Sequence, residues 1–292
     1  MDAVRSVNAP AHEAEELRGD RQVQHEVLVA LAECANHRKW FATFARPYLG
    51  ADPIEIGTGL GDYALEWIPD VRRYTATEAD PALFAGLEKS MACYPNVVVR
   101  QLTLPSSERA SHSCLMSYNV LEHIADHVGA LRSMGALVRP GGHIILVCPA
   151  FPFAMSAVDI ATGHVRRYTR RSMRAALAEA GLEAVSVRYA NSLGLICYYV
   201  FTSLLRKAPS KGATMLFYDR VVVPVVRGIE RVIRPPFGQS VLAIARVPGG
   251  GARDAGVPAS ARQDGGAQNG GVQNGGGPAA PPTSAAPWAG TP

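Results

Sequence analysis

The chain predicts an α/β fold: a doubly wound, mostly parallel seven-stranded sheet with helices on both faces. Three observations predict it. Apolar runs of strand length alternate with helix-patterned segments between about residues 21 and 191, the signature of a parallel sheet. A glycine-rich turn, Gly57-Thr58-Gly59-Leu60-Gly61, directly follows the first such run. Hydrophobic residues make up 48% of the 292 positions and charged residues 18%, so a sizeable core is available.

The strands are expected at 53–56, 74–77, 97–102, 114–118, 143–148, 184–189 and 240–247. Helices are expected near 22–34, 37–47, 61–67, 81–91, 127–137 and 171–180. Asp80-Pro81 opens the fourth of these, a capping carboxylate followed by a proline in the first turn. Thr169 starts the last and Gly181 stops it. Residues 1–20 are a polar, flexible leader, not the basic-then-apolar pattern of a signal peptide. The folded domain runs from 21 to 248. Within it, 192–236 breaks the strand–helix rhythm and forms an insertion before the last strand. Residues 249–292 are rich in Gly, Ala, Pro, Gln and Asn, with charges only at Arg253, Asp254, Arg262 and Asp264. Such a tail buries too little apolar surface to offset its ordering entropy, so it is expected to be disordered.

Bulk properties exclude several classes. The net charge of +4 is too mild to imply nucleic acid. No run approaches the roughly 20 apolar residues of a membrane helix. Five scattered cysteines without a C-x-x-C pair point to reduced, mostly buried thiols and a cytoplasmic location.

The glycine turn carries the functional signal. Glycine there lets the backbone take φ > 0 and approach a ligand, and the following helix points free N–H groups at it. A dinucleotide site wants G-x-G-x-x-G. Here the third glycine, Gly61, comes one residue early. Glu55, two positions before Gly57, would add like charge beside a pyrophosphate but suits a cationic ligand. The second strand ends in Thr77-Glu78-Ala79-Asp80. Asp80 is assigned to the helix cap and Glu78 to the ribose hydroxyls, a role that nicotinamide and S-adenosylmethionine sites share. A nicotinamide-dependent oxidoreductase therefore stays open beside the sulfonium reading, as does a non-catalytic cofactor-binding protein.

These residues, from about 40 to 247, resemble the class I S-adenosylmethionine-dependent methyltransferases. The resemblance rests on Glu55-Ile56-Gly57-Thr58-Gly59-Leu60-Gly61, on Glu78, on Tyr118-Asn119-Val120-Leu121-Glu122-His123-Ile124, and on Arg139-Pro140-Gly141-Gly142. It implies a Rossmann-like methyltransferase fold with S-adenosyl-L-methionine as cofactor. It also implies cofactor contacts at Gly57, Gly59, Gly61, Glu78 and Asn119, with Glu55 acting through water or by shaping the turn. The family's usual acid after the third strand is missing. That leaves adenine to Gln101, a backbone group or an apolar slot. Asp159-Ile160-Ala161-Thr162-Gly163-His164-Val165-Arg166-Arg167-Tyr168 and 234–240 are similar to a bacterial, ubiquinone-methylase-like subgroup with a GHxRRY motif. Its members are often found with cell-envelope glycan or natural-product genes, so the resemblance implies O-methylation of a small-molecule, natural-product or envelope-glycan or lipid acceptor.

Methyl transfer from a sulfonium needs no metal, and none is expected. For a hydroxyl acceptor a general base helps, and histidine suits the pH. His164 and His123 stand in loops at the carboxyl ends of strands and are the catalytic candidates. Asp159, Arg166, Arg167 and Tyr168 are the acceptor-binding candidates; the alternative is a structural clasp. The insertion holds Arg206, Lys207, Lys211, Arg220, Arg227, Arg231 and Arg234 against Asp219 and Glu230. Either it is a plain cover over the sheet, or residues 193–234 form a lid that touches a membrane surface and takes a lipid-linked acceptor.

Overall fold

The computed structural model describes residues 19–200 and 212–249. Most of the expected leader, Arg206, Lys207 and Lys211 of the insertion, and the tail from 250 onward lie outside the described residues. All seven expected strands form: β1 Ile54–Ile56, β2 Tyr74–Glu78, β3 Val97–Gln101, β4 His112–Tyr118, β5 Val138–Pro149, β6 Glu183–Ala190 and β7 Ser240–Arg246. They make one sheet in the order β3-β2-β1-β4-β5-β7-β6. β7 runs antiparallel to both neighbours, while the pairs among β1 to β5 are parallel.

The helices are α1 Arg21–Ala32, α2 Ala35–Ala45, α3 Ala64–Trp67, α4 Pro81–Met91, α5 His127–Leu137, α6 Ala157–Ala161, α7 Arg170–Glu179, α8 Ser192–Tyr199, α9 Ala213–Phe217 and α10 Val223–Val232. Alternate residues of β5 face opposite ways, as the strand period demands. Ile144, Leu146 and Cys148 pack with Leu131, Met134, Met173 and Leu177 of α5 and α7. Ile145 and Val147 pack on the other face with Phe41, Trp67, Leu87 and Val223 of α2, α3, α4 and α10.

Local chemistry explains the departures from expectation. α3 is short because Gly61 takes φ +91°, outside the helical region. β5 begins at Val138 rather than 143, since His112 pairs with Val138 across a register shift in β4. The segment after β6 holds α8, α9 and α10, with a π-helical turn, Tyr218–Val222, between the last two. Its buried Asp219 caps α2, accepting from the backbone N–H of Asn36 (3.1 Å) and His37 (2.8 Å). No helix among the described residues is long and apolar enough to cross a membrane.

Candidate active site

The chain leaves β1 toward β2 and β3 on one side and returns to place β4 on the other. In an open α/β sheet the crevice at such a switch point is where ligands bind. The glycine turn closes its floor. Gly57, Gly59 and Gly61 take φ +70°, +59° and +91°. A Cβ on Gly57 would stand 2.4 Å from Cγ2 of Val120, whereas one on Gly59 would meet nothing nearer than Leu28 Cδ2 at 3.8 Å. The turn is thus packed tightly at Gly57 and in ordinary van der Waals contact with Leu28 at Gly59.

Glu78 reaches this turn from the end of β2. Its Oε2 accepts from Gly59 N–H at 2.9 Å, and its Oε1 from Ala79 and Asp80 N–H at 2.8 and 3.0 Å. A carboxylate offers about four acceptor positions, so roughly one remains for a ligand hydroxyl. Asp80 caps α4, accepting from Ala82 and Leu83 N–H. Asn119 at the end of β4 is exposed and holds φ +55°, a conformation that asparagine tolerates better than most residues. Gln101 donates to the Ala79 carbonyl at 3.2 Å. Glu55 lies beneath the turn, 3% exposed, and accepts the Tyr74 hydroxyl at 2.7 Å. Burial pushes its carboxyl up to about 7, against the lowering effect of that hydrogen bond.

A strap over the crevice was not foreseen. α1 is tied at its start to the loop after β5, where Asp20 N–H donates to the Ala161 carbonyl (2.7 Å) and the Gln24 amide to Thr162 (2.9 Å). Leu28 then passes above Gly59, and Arg21 stands 3.6 Å from Asp80.

The second half of the site joins the loops after β4 and β5. His164 Nδ1 sits 2.8 Å from Asp159 Oδ1. Arg167 pairs with both Asp159 oxygens at 2.8–3.0 Å, and Ser156 and Tyr198 donate to Oδ2. Burial alone would raise Asp159, but the His164 hydrogen bond and the Arg167 charge outweigh it and hold the carboxyl well below its usual range. Asp159 and Ser156 also form the capping box of α6, a local signal present in the sequence. Arg166 donates to the Ile124 and Ala125 carbonyls at 2.9 and 2.8 Å. Tyr168 is 1% exposed, with its hydroxyl 3.1 Å from His127 Nδ1. Arg166, Arg167 and Tyr168 thus turn into the protein and stitch the two loops together.

One residue of this group carried no role in the sequence reading. Glu122 is fully buried, and neither carboxylate oxygen has a hydrogen-bond partner. Its Oε1 lies 3.9 Å from His164 Nε2. Burial pushes its carboxyl up to about 7. The His123 and His164 rings meet edge-to-face at 4.6 Å, and burial with the neighbouring His164 brings His123 down to about 3. The available signal was a lone charge inside the apolar run Val120-Leu121-Glu122.

A family model described as a methyltransferase domain matches residues 21–187. An uncharacterized methyltransferase of Mycobacterium leprae, present in two strains, is 28% identical over 109 residues. The match spans 37% of this chain and 40% of that protein. A chain from the complex of the Haloferax volcanii Trm112 methyltransferase activator with a candidate methyltransferase superposes with TM-score 0.53 at 14% identity, covering 78% of this chain and 98% of that one. A candidate sarcosine dimethylglycine methyltransferase from Galdieria sulphuraria gives 0.50 at 11% identity, covering 81% and 94%. The two structures share the fold.

Proposed function

We propose a reaction that starts from one premise: the chain belongs to the methyltransferase-domain family. Its donor is S-adenosyl-L-methionine and its acceptor presents a hydroxyl, on a small-molecule, natural-product or envelope-glycan or lipid compound. The observation that carries the donor is the meeting of the positive-φ Gly59 turn and the buried Glu78 carboxylate, 2.9 Å from Gly59 N–H, at the switch-point crevice. Glu78 with its remaining acceptor position suits a ribose hydroxyl. The positive-φ backbone of Gly57, Gly59 and Gly61 shapes the turn against which the methionine part would lie, and Asn119 flanks it. Glu55, beneath the turn, shapes it. When bound, the cofactor supplies an electrophilic methyl on a sulfonium.

The chain's own work is to place the acceptor oxygen and deal with its proton. His164 and His123, whose rings meet at 4.6 Å in the loops after β4 and β5, are the side chains this reading gives to the acceptor. Asp159 and Arg167 fix the His164 ring, while Arg166 and Tyr168 hold the loop that presents it. The closer likeness to the GHxRRY subgroup rests on this same run. The test is incubation with methyl-labelled S-adenosylmethionine and a lipid-plus-metabolite extract. Label in an alkali-stable ether supports the reading; no label in any acceptor overturns it.

The acceptor is further proposed to be met at an anionic membrane surface. On α10, Val223 and Val226 face the core, yet Val225, Ile229 and Val232 on the opposite side are exposed. Phe217 and Val221 extend this outward apolar stripe. Arg227 and Arg231 stand one turn apart on α10, and Arg220 and Arg234 near its two ends are exposed. An outward apolar face beside these arginines suits acyl chains beneath anionic headgroups.

A further inference from the structure

We infer that Glu122, His123 and His164 form a binding site for one divalent first-row transition cation of the zinc class. The methyl-transfer chemistry gave no reason to expect a metal; the side chains give one. Each of the three offers a ligand atom, and these atoms lie within 4.8 Å of one another. Ligands about 2.1 Å from a shared ion stand roughly 3–4 Å apart. The 3.9 Å between Glu122 Oε1 and His164 Nε2 already falls in that range.

Three further features separate this group from a chance cluster. The first is Glu122 itself. A fully buried carboxylate with both oxygens unpartnered is costly unless something pairs with it. Arg167 lies nearby but is spent on Asp159 and the Ala150 carbonyl. The second is the outer shell. Metal-bound imidazoles commonly give their other ring N–H to a carboxylate or a backbone carbonyl. His164 has Asp159 at Nδ1, which leaves Nε2 for the ion. His123 packs its ring edge-to-face against His164 at 4.6 Å, which fixes where it stands beside that ligand. The third is rigidity. Asp159 is locked by Arg167, Ser156 and Tyr198, and Val165 N–H donates to the Glu122 carbonyl at 2.9 Å, fixing the two loops that carry the ligands.

Two nitrogens and one carboxylate oxygen suit zinc and its neighbours rather than magnesium or calcium, which prefer all-oxygen shells. Three protein ligands leave a coordination position open. The role of the ion rests on the methylation reading: it would hold the acceptor oxygen and lower its pKa, the acceptor proton leaving to water. The binding site itself does not depend on that reading.

The full chain, stripped with a chelator and dialysed against micromolar Zn²⁺, should retain about one equivalent by plasma mass spectrometry. Glu122→Gln and His164→Gln should each weaken zinc at least tenfold. Asp159→Asn, a positioning change, should weaken it about 10- to 100-fold. Cys93→Ser, at the exposed thiol, should leave it unchanged. Co²⁺ in the unaltered protein should give visible ligand-field bands without thiolate charge transfer, a readout that needs no variant. Binding of S-adenosylhomocysteine by the zinc-free protein reports the donor site separately. Zinc without cofactor binding would leave the metal site standing and remove the methylation reading. No zinc retained by the unaltered protein, or unchanged zinc affinity in Glu122→Gln and His164→Gln, overturns the inference.

Discussion

Three positions in and beneath the glycine turn, Glu55, Gly57 and Gly59, show how single residues set its properties. Glu55 is a buried acid whose carboxyl is raised to about 7 by burial, so the folded state holds its proton more tightly than the unfolded chain does. Its stabilising contribution is present below the ordinary carboxylate range and is lost as pH rises through about 7. Glu55→Gln keeps an acceptor for Tyr74 and removes this titration. Its melting temperature should fall less between pH 5 and 8 than that of the unaltered protein, and parallel profiles would contradict the assignment. The glycines differ in the same testable way. Gly57→Ala must hold φ +70° and meet Val120 at 2.4 Å, and should cost about 1–3 kcal/mol or more. Gly59→Ala, whose methyl would meet only Leu28 at an ordinary 3.8 Å, should cost only about 1–2 kcal/mol for its backbone conformation. Denaturant unfolding of both variants checks the order. Glu55, Gly57 and Gly59 were legible from their spacing. Glu122 was not, because nothing in the run 118–124 announces that its carboxylate goes unpaired.

Among the elements, α1 carries the main surprise. Its existence was legible from a helical pattern near 22–34, but not its place over the crevice. That place depends on Gln24 reaching Thr162, 138 positions away, and no local pattern encodes such a pairing. Asp20 caps the helix through Gln22 and Val23 N–H. Asp20→Ala should cost α1 about 1 kcal/mol, seen as faster amide exchange confined to its first turns, with weaker cofactor retention. Unchanged exchange would mean that the loop after β5 alone holds the strap. The strands were legible because each is an apolar run of the right length bounded by turn residues. α3 was expected too long because Gly61 was counted as helical, and φ +91° forbids that. α10 departs from the usual pattern, since its apolar residues face both the core and the outside, so periodicity could not assign its inner face.

For the whole molecule, seven strands in one doubly wound, mostly parallel sheet were legible; that β7 is the strand running antiparallel to β5 and β6 was not, because no local pattern encodes a strand's direction. The outward stripe of Phe217, Val221, Val225, Ile229 and Val232 is a property of the assembled surface. Full-length protein should sediment with phosphatidylglycerol vesicles and not with phosphatidylcholine. Val225→Asp with Ile229→Asp should abolish this, and Arg227→Gln with Arg231→Gln should weaken it and make its remaining loss with salt shallower. Dimerisation through the same face without vesicle binding would remove the membrane reading. The central claim, that the switch-point crevice holds a methyl donor, is tested most directly by calorimetry with S-adenosylhomocysteine. The account predicts one binding event per chain, weakened at least about tenfold by Glu78→Ala, in line with roughly 1.5–3 kcal/mol for a hydrogen bond to a charged group, and no binding of NADH. No binding of S-adenosylhomocysteine, or the same affinity in Glu78→Ala, would contradict it.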